Sequence, residues 1–250
     1  MPTKLIVYKP IDEDDTKLSL IDDKWPKPSF RWLMVGATES GKSNIIKNVL
    51  FNYNLGYNSY FDEIYIFSGS LGDVKEYTRL SIEHNLTKKM RIWQKFDNDG
   101  IKALIDDIEH GEANKKDKAR ILIVFDDQIC NGMSKRHSQT VTDELLIRGR
   151  HIRLSVIIST QAMILGINQN IRQLNTSHIT VLANTNIREL ETIAKEHAGK
   201  YQPDELMSLM RSGLKKTYNF VTIDRTGAVY DKDFNEIVPH GHVQDQDQDE

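Results

Sequence analysis

The chain has 250 residues, 39% of them hydrophobic, which is enough for one good core in one compact domain. A formal net charge of −3 excludes a molecule built as a polycation to coat nucleic acid, so any contact with DNA must be a local patch. A lone cysteine, Cys130, excludes an intrachain disulfide and a Cys-rich zinc site; with no signal core in "MPTKLIVYKPIDEDD" and no apolar run long enough for a membrane span, the expectation is a soluble intracellular protein.

Residues 1–30 are charged and interrupted by prolines outside any periodic pattern, and are expected to form an extended N-terminal arm outside the core. Over 31–237 apolar runs recur. "RWLMVGA", "DEIYIFSG", "ARILIVFDD", "LSVIISTQ", "SHITVLAN" and "TYNFVTID" read as strands, with "KKMRIWQ" as a further one, while "IKALIDDIEH" and "ELETIAKEHA" have helical spacing. This alternation predicts an α/β domain with a largely parallel sheet flanked by helices. The end of the chain, 238–250, is expected to be an acidic disordered tail, with His240 and His242 solvated rather than metal-bound.

The first strand runs into "GATESGKS", Gly36 to Ser43, followed by "NIIKNVLF". This is the spacing of a phosphate-binding loop between a strand and a helix: the glycines let backbone N–H groups converge on phosphate oxygens, the lysine ammonium reaches the terminal phosphates, and the helix N-terminus adds positive potential. The expected nucleotide-binding set is Gly36, Ala37, Thr38, Glu39, Ser40, Gly41, Lys42, Ser43 and Asn44. Lys42, as a loop lysine, is expected to give charge to the phosphates and little to packing. The aromatic stretch that follows, "FNYNLGYNSYFDEIY", is expected to pack in the core or an interface rather than stack on bases.

"ILIVFDD" is a continuous apolar run ending in Asp126 and Asp127, the pattern of a buried parallel strand whose end opens on a catalytic crevice. In a phosphate-loop enzyme Ser43 and Asp126 would hold Mg²⁺ on the phosphates of ATP, and Asp127 would polarise the attacking water. The strand "HIRLSVIISTQ" ends in Gln161, which would reach the same edge to orient water or sense the γ-phosphate.

With these three strand ends and "NQNIRQLNTSHITVLAN", roughly residues 30–225 resemble the viral genome-packaging ATPases of the FtsK/HerA superfamily found in poxviruses, giant DNA viruses and virophages. The resemblance implies a RecA-like core in which the Gln161 strand lies between the other two. It also implies an ATP- and Mg²⁺-dependent motor that moves double-stranded DNA through a homo-oligomeric ring, a hexamer by analogy. The motor would act with a capsid or portal component at assembly sites in the host cytoplasm and in association with the virion. Many superfamily members carry Asp-Glu where this chain has Asp126-Asp127, one methylene shorter at the expected base.

Ring ATPases of this kind complete each site with an arginine from a neighbouring subunit, because negative charge spreads over the γ-phosphate in the transition state. "LLIRGRHIR" offers Arg150 for that role, with Arg148 as the alternative and Arg153 as a structural residue at the start of a strand. In "QICNGMSKRHSQT", Lys135, Arg136 and His137 form a cluster that could hold DNA phosphates without reading bases, or simply be solvated. Two other activities use a phosphate loop and an acidic strand end: a kinase of nucleosides or other small molecules, and a nucleotide-dependent assembly switch.

Overall fold

The structure, a computed structural model, describes residues 16–94, 98–110, 119–127, 145–147 and 154–239. Its strands are β1 (Arg31–Val35), β2 (Glu63–Ser68), β3 (Met90–Trp93), β4 (Ile121–Asp126), β5 (Leu154–Thr160), β6 (His178–Leu182), β7 (Phe220–Asp224), β8 (Val229–Tyr230) and β9 (Glu236–Ile237). They form one sheet in the order β3-β2-β4-β5-β1-β6-β7-β8-β9. The pairings from β3 across to β6 are parallel, and those from β6 to β9 are antiparallel. β5 therefore lies between β1 and β4, the order expected of a RecA-like core. "KKMRIWQ" supplies β3, an edge strand.

Every residue of β1, β4 and β5 is buried, which is why these strands read as mainly apolar runs. The strand period of two survives inside the runs. Leu33, Val35, Ile123, Phe125, Val156 and Ile158 enter one core with Ile101 and Ile105 of α4 (Asn98–His110), Ile193 of α7 (Ile187–Glu196) and Leu206 of α8 (Pro203–Gly213). Trp32, Met34, Leu122, Val124 and Ile157 enter a second core on the opposite face. There they meet Ile46, Val49 and Leu50 of α1 (Lys42–Phe51), Tyr57 of α2 (Tyr57–Tyr60) and Tyr77 of α3 (Leu71–Glu83). Two short helices, α5 (Met163–Gly166) and α6 (Gln169–Asn175), carry the chain from β5 to β6.

Local signals set the helix starts. The Ser70 hydroxyl accepts from the Asp73 N–H at 3.3 Å ahead of α3, and Asn186 accepts from the Arg188 N–H at 2.9 Å ahead of α7. α8 opens on Pro203, with the Glu205 carboxylate reaching back to the Gln202 N–H at 2.8 Å.

Over residues 16–30 the chain departs from the extended arm that its charges and prolines suggest, while residues 1–15 lie outside the described residues. Residues 16–30 lie on the second core: Ile21 and Phe30 are buried in it, the Tyr57 hydroxyl donates to the Pro26 carbonyl at 2.7 Å, and the Trp25 ring lies 4.3 Å from that of Phe234. The charges of Asp22, Asp23 and Lys24 face outward, so a polar sequence still delivers apolar anchors. The aromatic stretch after α1 is core, with Tyr57, Tyr60 and Phe61 buried, while Tyr53 is exposed.

Candidate active site

The loop from Gly36 to Ser43 leaves the end of β1 and folds back to start α1. The Gly36 N–H donates to the Thr160 carbonyl at 3.1 Å, tying the loop's first residue to β5. A Cβ on Gly36 would come within 2.5 Å of the Ser40 hydroxyl and 2.9 Å of Leu182 Cβ, so the close approach needs glycine. Gly41, with φ of 105°, makes the left-handed turn that caps α1 and directs its N-terminal N–H groups toward the loop.

Lys42 differs from the loop lysine expected from the sequence. It is only 4% exposed, and its Nζ donates to the Gly36 carbonyl at 2.9 Å and the Ala37 carbonyl at 3.0 Å. Because it occupies the first turn of α1, beneath the arch of the loop, its ammonium braces the loop as well as charging it. Ser40 is also buried, and its hydroxyl has no hydrogen-bond partner within the protein. An unpartnered hydroxyl in such a loop suits a phosphate oxygen.

β4 and β5 bring the other residues to the same edge. The Lys42 ammonium lies 3.7 Å from Asp127 Oδ1, and Gln161, at the end of β5, is close enough to the same carboxylate to favour its charged form. Burial pushes the Asp127 pKa above its ordinary value; Asp126 and Asp73 add to the rise, and Lys42 and Gln161 oppose it without cancelling it. Asp127 also adopts a left-handed backbone with φ of 51°, which turns it out of the strand direction.

Asp126 is 1% exposed, and its Oδ2 accepts from the Tyr77 hydroxyl at 2.8 Å while Oδ1 accepts from the Ser159 hydroxyl at 2.6 Å. Ser159 Oγ in turn accepts from the Asp127 N–H at 3.1 Å, so one hydroxyl touches both aspartates. Each carboxylate oxygen keeps a lone pair beyond these bonds, so the donor set suits a divalent cation carried on phosphate oxygens.

The phosphate loop, Asp126, Asp127 and Gln161 thus converge as their spacing predicts. Arg148, Arg150, Arg153, Lys135, Arg136, His137 and Cys130 lie outside the described residues. Tyr77 and Ser159 are additions that the sequence reading missed. Ser159 carried a signal, a hydroxyl at the buried end of a strand beside the predicted crevice, whereas Tyr77 sits on a helix face with nothing local to mark it. Among the described residues no helix is long and apolar enough to cross a membrane.

A model of the family described as "Poxvirus A32 protein" matches residues 19–237 of the chain. No curated protein matches. Among solved structures, the genome packaging NTPase B204 from Sulfolobus turreted icosahedral virus 2 in complex with AMPPCP is 19% identical with a TM-score of 0.58; the match covers 81% of this chain and 96% of that one. The same NTPase in complex with sulfate is 20% identical with a TM-score of 0.58, covering 85% and 99%. B204, the DNA-packaging ATPase from Sulfolobus turreted icosahedral virus, is 18% identical with a TM-score of 0.56, covering 81% and 96%. At these identities the likeness is one of fold, a phosphate-loop NTPase domain.

Proposed function

The chain belongs to the poxvirus A32 protein family, and from that premise we propose that it is an ATP-driven motor that moves double-stranded viral DNA into a preformed capsid. The observation that carries the reading is the meeting of Lys42, Asp127 and Gln161 at the ends of three adjacent parallel strands, on the edge where such sheets bind their ligands. The structural relatives B204, described as genome packaging NTPases and bound to AMPPCP or ATP-gammaS, support ATP as the nucleotide.

In this reading the loop N–H groups and the Lys42 ammonium bind the β- and γ-phosphates, while Ser43 and Asp126 hold Mg²⁺. Mg²⁺, when bound, neutralises charge on the transferring phosphoryl group. Tyr77 and Ser159 fix the Asp126 carboxylate by occupying one lone pair on each of its oxygens. Asp127 takes the proton of the attacking water, a task its raised pKa favours, and Gln161 orients that water. Arg150, with Arg148 as the alternative, completes the site from the neighbouring subunit of a ring, taken to be a hexamer. Lys135, Arg136 and His137 hold DNA through its backbone. A capsid or portal component is the assembly partner, and the place of action is the viral assembly site in the host cytoplasm.

ATP hydrolysis by the full chain, measured with and without long double-stranded DNA and alongside particle mass, tests the reading. The expected result is stimulation by DNA from a particle whose mass is a multiple of 28.8 kDa. Transfer of phosphate to a small acceptor without DNA stimulation would make the protein a kinase. Nucleotide binding with no turnover under either condition would make it an assembly switch.

A further inference from the structure

A groove of about 420 Å³ opens beside the phosphate loop. We propose that it is a purine slot: it holds the nucleoside half of the bound nucleotide and reads the base by its faces rather than its edges. The inference rests on the proposed ATPase reading and adds to it which part of the chain meets the base, and how strictly.

Position is the first argument. Gly41, the last glycine of the loop, and Asn44, the residue after the loop's serine, line both the loop and the groove, so a ligand whose phosphates lie on the α1 N-terminus continues into it. Size is the second, because the volume falls within the ~300–1,000 Å³ of small-molecule pockets.

The walls supply the third. Trp25, Leu182, Tyr218 and Phe220 are apolar or aromatic, and Tyr218 is 67% exposed beside the loop, its Cδ1 3.6 Å from where a Cβ on Gly41 would lie. Tyr218 also adopts φ of 65°, a left-handed conformation that is strained for a bulky side chain. An exposed, strained tyrosine against an anion-binding loop suits stacking on a heterocycle.

Polar groups that would read a base edge are committed or ambivalent. Asn48 Nδ2 donates to the Asn44 carbonyl at 3.0 Å, Asn52 Oδ1 accepts from the Asn54 N–H at 3.1 Å, and the Lys232 ammonium pairs with Asp233 at 2.7 Å. A free carboxamide offers both a donor and an acceptor, so it does not separate the adenine pattern from the guanine one. Ring area remains as the selecting property, which favours purines over pyrimidines.

The test is calorimetric binding of ADP, GDP, UDP and inorganic tripolyphosphate, with Mg²⁺, to the full chain and to Tyr218→Phe and Tyr218→Asn. Asparagine tolerates a positive φ, so Tyr218→Asn removes the ring while keeping the turn, and an unchanged melting temperature confirms the fold. The expected pattern is a loss of about tenfold in ADP affinity for Tyr218→Asn, an unchanged tripolyphosphate affinity, and near-normal ADP binding by Tyr218→Phe. In the unaltered chain ADP and GDP should agree within about threefold, with UDP weaker. Unchanged ADP affinity in Tyr218→Asn, with tripolyphosphate still bound, would place the base elsewhere and overturn the slot while leaving the phosphate loop standing. A GDP affinity more than about tenfold below that of ADP would overturn recognition by faces. Failure of tripolyphosphate to bind the unaltered chain would remove the phosphate-loop reading, and the slot with it.

Discussion

At the scale of single residues, Asp127 is held in an environment that opposes its charge. Its pKa is raised from 3.8 because burial and the neighbouring carboxylates outweigh Lys42 and Gln161. A carboxyl group of that kind stabilises the fold while protonated, below its ordinary value, and loses the contribution as pH rises through the raised value; at neutral pH the ionised form is a net cost. Asp127→Asn is therefore expected to raise the melting temperature at pH 7 while lowering ATP hydrolysis by roughly 10²-fold or more, the usual effect of losing a catalytic base. Binding of Mg·ATP should survive in Asp127→Asn and weaken in Asp126→Asn. Thermal scans, turnover and nucleotide titration on both variants check this, and the opposite pattern would exchange the two roles. The same shift places the acid limb of the hydrolysis profile at higher pH than an ordinary aspartate would give.

At the scale of elements, the geometry of Asp126 belongs to α3 and β5 together. α3 supplies the Tyr77 hydroxyl and β5 supplies Ser159, and α3 is tied to the loop-bearing α1 through Lys47, which pairs with Asp73 at 3.3 Å and with Glu76. Tyr77→Phe leaves a buried carboxylate short of one donor, so it is expected to destabilise the fold by about 1.5–3 kcal/mol in denaturant unfolding, the range for hydrogen bonds to charged groups. A change under ~0.5 kcal/mol would mean that water replaces the hydroxyl. The loop, the paired aspartates and Gln161 were legible in the sequence because each motif is contiguous and sits where a strand ends. Tyr77 was not: in "VKEYTRL" it reads as an ordinary apolar-face residue, and only the placement of α3 over the sheet, which brings its hydroxyl to Asp126, selects it. Ile21 and Phe30 were hidden for a different reason, since Asp22, Asp23, Lys24 and the prolines around them dominate the local composition although those charges point to solvent. Spacing singled out Lys42 for the proposed phosphate role, but its depth depends on how the loop arches over α1.

At the scale of the whole molecule, the motor reading requires a site completed by two subunits. Arg150→Ala is expected to bind ATP normally and to hydrolyse it ~10³-fold more slowly, because the charge it meets develops in the transition state. Mixing it with Asp127→Asn, which retains the loop brace of Lys42, should restore turnover in the presence of DNA, since some interfaces then pair an intact carboxylate with an intact arginine. Arg148→Ala treated identically is the comparison. Recovery with Arg148→Ala alone would move the role two residues upstream, and no recovery with either, in rings shown to be mixed, would contradict an arginine acting between subunits in this segment. The sheet order has a further consequence for how the chain is made. β1, which carries the phosphate loop, is hydrogen-bonded to β5 and β6, and the Arg31 N–H finds its partner, the Ser177 hydroxyl, 146 residues later. A nascent chain therefore emerges with its central strand unpaired, and this strand waits through most of translation for its neighbours. On the proposed reading the loop is expected to gain its phosphate-binding geometry only after β5 and β6 have been made, because Gly36 is tied to the Thr160 carbonyl and β1 is held between those two strands.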